Sequence, residues 1–218
     1  MTFCVTLELP MFFFPKLVAT QKSPFNGEIK VYQQFGKYSL SVDNLTQSGG
    51  LLNSIWKKAL KLTTNYQLLA TNCLILGLGG GTAAKWIRYY YPKAKITAIE
   101  IDPVIITLAK KYGYTNNVHI ITADAFKAIY KLPATSYSLI LVDTYRGKNY
   151  PSAAKSLRTA RQLKCLLTKP GFIIFNRLNW GEFGQDTQKQ ITMLEKIFPK
   201  VHSKKILSNT LVFCQKSR

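Results

Sequence analysis

A four-residue apolar run, Cys73-Leu74-Ile75-Leu76, passes directly into Gly77-Leu78-Gly79-Gly80-Gly81 and then into a helix-patterned segment beginning at Thr82. A strand that turns on glycine straight into a helix opens an α/β unit, and the glycines let backbone approach a ligand where a side chain would collide. Downstream, short apolar runs alternate with helical patterns, which predicts a mostly parallel sheet covered on both faces. Strands are expected at 73–76, 95–100, 118–122, 138–143 and 171–176, with helices at 82–91, 103–112, 152–167 and 185–198. Pro103 in the first turn and Gly113 just past the last one mark the ends of the second helix. The tail, 204–213, reads as one or two further strands parted at Ser208-Asn209.

Upstream the texture changes. The alternating runs 27–32 and 38–42, joined through Gly36, predict a β-hairpin. A second pair, 3–9 and 12–19, is split by Pro10, and 51–62 reads as a helix carrying Trp56 that bridges to the main domain. At 218 residues the chain has room for one main domain and an appendage. The expected division is a small N-terminal β unit over 1–50 and a Rossmann-like domain over 51–218.

Hydrophobic residues make up 47% of the chain, a globular composition. The apolar N-terminal stretch is broken by Glu8, Pro10, Pro15 and Lys16, short of the ~20 residues a membrane span needs. Cys4, Cys73, Cys165 and Cys214 are scattered without a C-x-x-C pair, which points to a reducing cytoplasm and away from a zinc or disulfide scaffold. His119 and His202, the only histidines, form no ligand-spaced cluster, so no metal is expected. The net charge of +20 attracts polyanions, but the cations run along the whole chain with no basic run interleaved with aromatics. Nucleic acid is therefore a candidate partner rather than the expected one.

Within the glycine turn, Thr82 stands where a dinucleotide-binding fingerprint has its third glycine beside a pyrophosphate, so the turn favours S-adenosylmethionine over a dinucleotide. Gly77, Gly79 and Gly81 are the candidate cofactor-binding glycines. The next strand ends in Glu100, placed to accept ribose hydroxyls through charge-assisted hydrogen bonds. Asp124-Ala125 follows the third strand, where a carboxylate can take the exocyclic amine of adenine. Asp143 ends the fourth, at the crevice where open α/β sheets bind ligands. Four of the ten carboxylates, Glu100, Asp102, Asp124 and Asp143, thus stand at or just past strand ends on one edge. Helix capping is the competing explanation for Asp102 and Asp124.

The order and spacing of these motifs resemble the spermidine synthase-like (polyamine aminopropyltransferase) branch of the class I S-adenosylmethionine-dependent methyltransferase superfamily. The likeness runs from about residue 23 to 215. It takes in the hairpin unit ending at Gln47-Ser48, similar to a D-G-x-x-Q-S element, the G-x-G-G-G turn, the E-I-D and D-A pairs, the V-D strand end and Leu166-Leu167-x-x-Pro170-Gly171. The resemblance implies a seven-stranded sheet with one antiparallel strand near the C-terminus, a cofactor that is S-adenosylmethionine or its decarboxylated form, and Gln47 among the cofactor-binding residues. It also sets up two departures. Aminopropyltransferases carry an Asp in the glycine turn where this chain has Gly80-Gly81-Thr82, and a D-x-x-D loop where it has Asp143-Thr144-Tyr145-Arg146. At an effective dielectric near 20, a guanidinium about 4 Å from a cationic acceptor costs on the order of 4 kcal/mol, roughly a thousandfold in affinity.

The expected activity is therefore methyl transfer to a neutral or anionic small-molecule acceptor. Asp143 would orient or deprotonate it, Tyr145 would line its pocket, and Arg146 or Lys148 would meet it. The alternatives are aminopropyl transfer, with Glu182 or Asp186 replacing the lost acids, and a non-enzymatic adenosyl- or nucleic-acid-binding module. A homodimer is the candidate assembly.

Overall fold

The computed structural model describes residues 14–43, 45–66 and 68–216. Strands β1 (Lys16–Ser23), β2 (Gly27–Gln34), β3 (Lys37–Val42) and β4 (Leu45–Ser48) form an antiparallel sheet in sequence order. The expected hairpin is the middle of this sheet. Its two-residue turn, Phe35-Gly36, has φ of 49° and 69°, the doubly left-handed corner that matches strand twist. The strand expected at 12–19 lies at Lys16–Ser23 and pairs with β2, while 3–9 falls outside the described residues. Alternation along β2 and β3 buries Ile29, Val31, Leu40 and Val42 against Ile105 and Leu108 of helix α3 (Pro103–Tyr112). The small sheet is thereby fastened to the main domain.

Helix α1 (Gly50–Thr64) leads into the main sheet, whose strands are β5 (Asn72–Leu76), β6 (Lys95–Glu100), β7 (Val118–Thr122), β8 (Tyr137–Val142), β9 (Leu167–Leu178), β10 (Lys200–Ile206) and β11 (Asn209–Lys216). Their order is β10-β11-β9-β8-β5-β6-β7, and β11 alone runs against the others. Between them lie α2 (Thr82–Tyr90), α3, the one-turn α4 (Ala125–Ala128), α5 (Leu157–Leu166) and α6 (Glu182–Glu195). Because strand side chains alternate, Cys73, Ile75, Leu139 and Leu141 join the core under α1 and α2, whereas Leu74, Leu76, Ile140 and Val142 join the one under α5 and α6. Among the described residues no helix is long and apolar enough to cross a membrane.

The expected boundaries shift where side-chain chemistry intervenes. The helix expected over 152–167 is a 3₁₀ turn, Ser152–Lys155, followed by α5, because Ser156 breaks the run and caps the new helix through the Thr159 N–H at 3.1 Å. Strand β9 begins four residues before Gly171. Tyr137 pairs with Leu167 and Leu139 with Phe172, so residues 168–171 bulge out of the ladder.

Candidate active site

Chain direction across the sheet switches between β5 and β8: β5 leads outward to β6 and β7, and β8 leads the other way. The carboxyl ends of these strands open a crevice. Here it is a cavity of about 850 Å³, roofed by the β3–β4 end of the small sheet and by α1. Gly77, Gly79, Gln47, Glu100, Asp124, Ala125, Asp143 and Tyr145 all line it, so of the expected catalytic and cofactor-binding residues only Gly81 stands outside.

The glycines have a reason that precedes any ligand. A Cβ on Gly77 would sit 2.2 Å from the Asp143 carbonyl oxygen, and one on Gly81 equally close to that of Tyr114. Both also have φ near +80° or above, where L side chains are strained. Gly81 caps α2 facing Tyr114, away from the cavity. Thr82, at the third-glycine position, has a structural use as well. Its hydroxyl lies 2.9 Å from Ser48 Oγ and accepts the Gly49 N–H at 2.9 Å, tying the small sheet to the turn.

Glu100 is buried, and its carboxylate accepts four backbone N–H groups. Oε2 takes Leu78 at 2.9 Å and Gly79 at 3.3 Å, while Oε1 takes Ile101 at 2.8 Å and Asp102 at 3.1 Å. Burial pushes its carboxyl above the usual range, and the four N–H bonds pull it back. Asp102 has the capping role weighed against function. It accepts Val104 N–H at 2.8 Å and, fully buried, also takes Ser23 Oγ at 2.5 Å and Asn26 Nδ2 at 2.6 Å from the small sheet. Asp124 caps α4 through Oδ1, accepting the Phe126 N–H at 2.8 Å, and still lines the cavity.

Asp143 follows β8, beside Asn176 on the neighbouring β9. Its Oδ1 accepts Asn176 Nδ2 at 2.9 Å and its Oδ2 accepts Trp56 Nε1 at 3.1 Å. Burial raises this carboxyl to about 6, against the pull of those two donors and with a small push from the Glu100 charge. Asn176 is itself held, its Oδ1 taking Asn209 Nδ2 at 2.7 Å. The Tyr145 hydroxyl accepts the Leu178 N–H at 2.7 Å, and its ring lies 4.8 Å from that of Tyr150. Behind this wall, buried Arg177 lies 4.0 Å from the Tyr150 ring centroid and pairs with Asp186 at 2.5 Å.

Sequence reasoning missed Asn176, Trp56 and Asp43. The first had a signal, an Asn ending the strand parallel to the one ending in Asp143. Asp43 had one too, as the acid that opens the stretch ending in Gln47-Ser48, whereas Trp56 had none, because α1 and the β3–β4 end reach the crevice only through the docking of the small sheet. Asp43, exposed after β3, points its Oδ2 at the loop after Asp143, where a Cβ on Gly147 would meet it at 2.7 Å. Gln47 Nε2 donates to the Gly147 carbonyl at 3.3 Å and closes the same seam. Among the described residues the lining thus carries four carboxylates, Asp43, Glu100, Asp124 and Asp143, against one cation, Arg146. Lys148, Glu182 and Asp186 are not part of it, and Asp186 is engaged by Lys155 and Arg177.

The strand order, the antiparallel β11, the small N-terminal sheet and the cavity at the switch point define the spermidine synthase-like form of the class I S-adenosylmethionine-dependent methyltransferase fold. Spermidine synthase from Thermotoga maritima superposes with a TM-score of 0.75 at 13% identity, over 93% of this chain and 73% of that one. In sequence, the chain is similar to a polyamine aminopropyltransferase of Vibrio vulnificus, 32% identical over 108 residues. That match takes in 47% of this chain and 36% of the relative. It is also similar to the eEF1A lysine and N-terminal methyltransferase of Bos taurus, 29% identical over 159 residues, 65% of this chain and 22% of the relative. The chain thus covers well under half the length of these relatives. No family model matches it.

Proposed function

We propose that this chain is an S-adenosylmethionine-dependent transferase that moves a methyl group to an acceptor which is neutral or anionic where it meets Arg146. The observation that carries this reading is Asp143. It is an acid raised to about 6 and held between Asn176 and Trp56, in a loop where the second acid of a D-x-x-D pair is Arg146. At neutral pH such a carboxylate is mostly ionised yet basic enough to take a proton from the acceptor. The relatives named as methyltransferase and as aminopropyltransferase both support the transferase class.

The lining suits this cofactor, because a cavity with four carboxylates and one guanidinium, in a chain of net charge +20, favours a ligand carrying a sulfonium. When bound, S-adenosylmethionine supplies an electrophilic methyl group. Glu100 would hold the ribose, exchanging its longest N–H bond, from Gly79, for a hydroxyl. Asp124 has Oδ2 free of the cap bond for the adenine amine, beside Ala125. Gly77, Gly79 and Gln47 form the floor and seam around the cofactor, and Tyr145 and Tyr150 exclude water from the acceptor end. Methyl transfer needs mainly that the nucleophile be held in line, so one acid suffices.

Aminopropyl transfer stays as the second reading because of Asp43, which brings an acid from the small sheet to the loop that lost one. Calorimetric titration of the chain with S-adenosylmethionine and with its decarboxylated form separates the two. Binding of S-adenosylmethionine is expected, weakened by Glu100→Gln. Binding of the decarboxylated form alone, lost in Asp43→Asn, would establish the second reading and sink the first.

A further inference from the structure

The inner faces of α1 and α2 wall the acidic cavity; their outer faces carry the opposite chemistry. Lys57 of α1 and Lys85 of α2 hold their ammonium groups 5.2 and 5.3 Å from the Trp86 ring centroid. Lys85 also lies 4.5 Å from the Tyr114 ring and donates to its hydroxyl at 3.3 Å. Tyr89 packs edge-on against Trp86 at 5.3 Å and is 68% exposed, and Tyr114 is 39% exposed. Cation and ring thus alternate from Lys57 through Trp86 and Lys85 to Tyr114, with Tyr89 standing out beside them.

The segments that build this face carry no acid of their own. Between Asn44 and Ile99 the chain has seven cations, Lys57, Lys58, Lys61, Lys85, Arg88, Lys93 and Lys95, and no acid. Between Pro103 and Ala123 it adds Lys110 and Lys111, again with no acid. The ion pairs among the described residues all lie elsewhere. Arg88 spends its N–H groups on the carbonyls of Pro92, Ala94 and Asn117, which fix the side chain and leave its charge uncompensated.

A field of one sign attracts a polyanion through counterion release, and exposed rings among the cations offer stacking to unpaired bases. A duplex or a sulfated polymer could use the charges but has no free base for Tyr89. We propose that the outer face of α1 and α2, extended by Tyr114, binds single-stranded nucleic acid, with phosphates on Lys57, Lys85 and their neighbours and a base stacked on Tyr89.

The test is fluorescence anisotropy of the whole chain with labelled oligouridylate and oligothymidylate of about 20 nucleotides, and with heparin as a polyanion lacking bases. Both oligonucleotides are expected to bind, and whichever binds tighter identifies the polymer. Tyr89→Ala should weaken them about 5- to 100-fold, leave heparin unchanged, and keep its circular-dichroism melt, since the side chain is mostly exposed. Lys85→Gln should lower the salt slope of binding by about 0.7. The proposal is overturned if Tyr89→Ala has no effect, if it weakens heparin equally, or if Lys204→Gln on β10 lowers the slope as much as Lys85→Gln. Tighter binding to anionic vesicles than to either oligonucleotide would also overturn it.

Discussion

Replacing Asp143 with Asn should make the protein more stable at neutral pH, because the fold holds this buried carboxylate ionised at a cost. Burial moves this carboxyl from 3.8 to about 6. At about 1.4 kcal/mol per unit, the folded state gives up about 3 kcal/mol to keep it ionised at pH 7. The sign follows from proton binding. The native protein holds this proton more tightly than the unfolded chain, so the penalty is absent below about pH 4, grows between about 4 and 6, and is complete above. The Asp143→Asn change removes the charge but keeps only one acceptor for two donors, Trp56 Nε1 and Asn176 Nδ2, and Asn176 is pinned by Asn209. One mismatched donor costs about 1 kcal/mol. The net gain is about 2 kcal/mol at pH 7.5, or about 4–8 °C in Tm for a chain of this size, reversing to a loss of about 1 kcal/mol below pH 4. Thermal and urea unfolding of both proteins from about pH 3.5 to 8 measures it. A gap that does not change with pH, or a variant less stable at pH 7.5, would mean that burial does not penalise the Asp143 charge.

Glu100→Ala strips the acceptor from four backbone N–H groups, and with cavity water replacing part of the loss it should cost about 4 kcal/mol and lower Tm by about 8–16 °C. A shift of only a few degrees in scanning calorimetry would mean the turn does not depend on this carboxylate. Gly81→Ala sets a Cβ 2.2 Å from the Tyr114 carbonyl oxygen at a φ of +80° and should cost about 3 kcal/mol in urea unfolding. Because Gly81 faces away from the cavity, cofactor affinity measured below the unfolding transition should change far less than stability.

The main domain was legible in the sequence because its signals are local. The limits of β6, β7 and α3 follow from apolar runs, Pro103 and Gly113, and Glu100, Asp124 and Asp143 fall on the crevice because every parallel strand presents the same end there. What local patterns could not carry was the traffic between distant segments. The glycine turn read as a ligand cradle is first a packing junction, where Gly77 meets Asp143 and Gly81 meets Tyr114. Asp102 is a cap and a dock for Ser23 and Asn26. The cations looked evenly spread along the chain, yet folding sets Lys57, Trp86, Lys85 and Tyr114 side by side.

The succession of strands and helices along the chain, the turn, and the placing of Glu100, Asp124 and Asp143 at strand ends were set by neighbours within a few residues, where steric preference and hydrophobic period act. Tertiary structure decided the rest: the burial that raises Asp143, the Trp56 and Asn176 bonds that hold it, the arrival of Asp43, and the segregation of charge into an acidic cavity and a basic outer face. Desolvation and through-space charge depend on which segments meet, and that is determined only when the small sheet and α1 close over the carboxyl ends of β5 and β8.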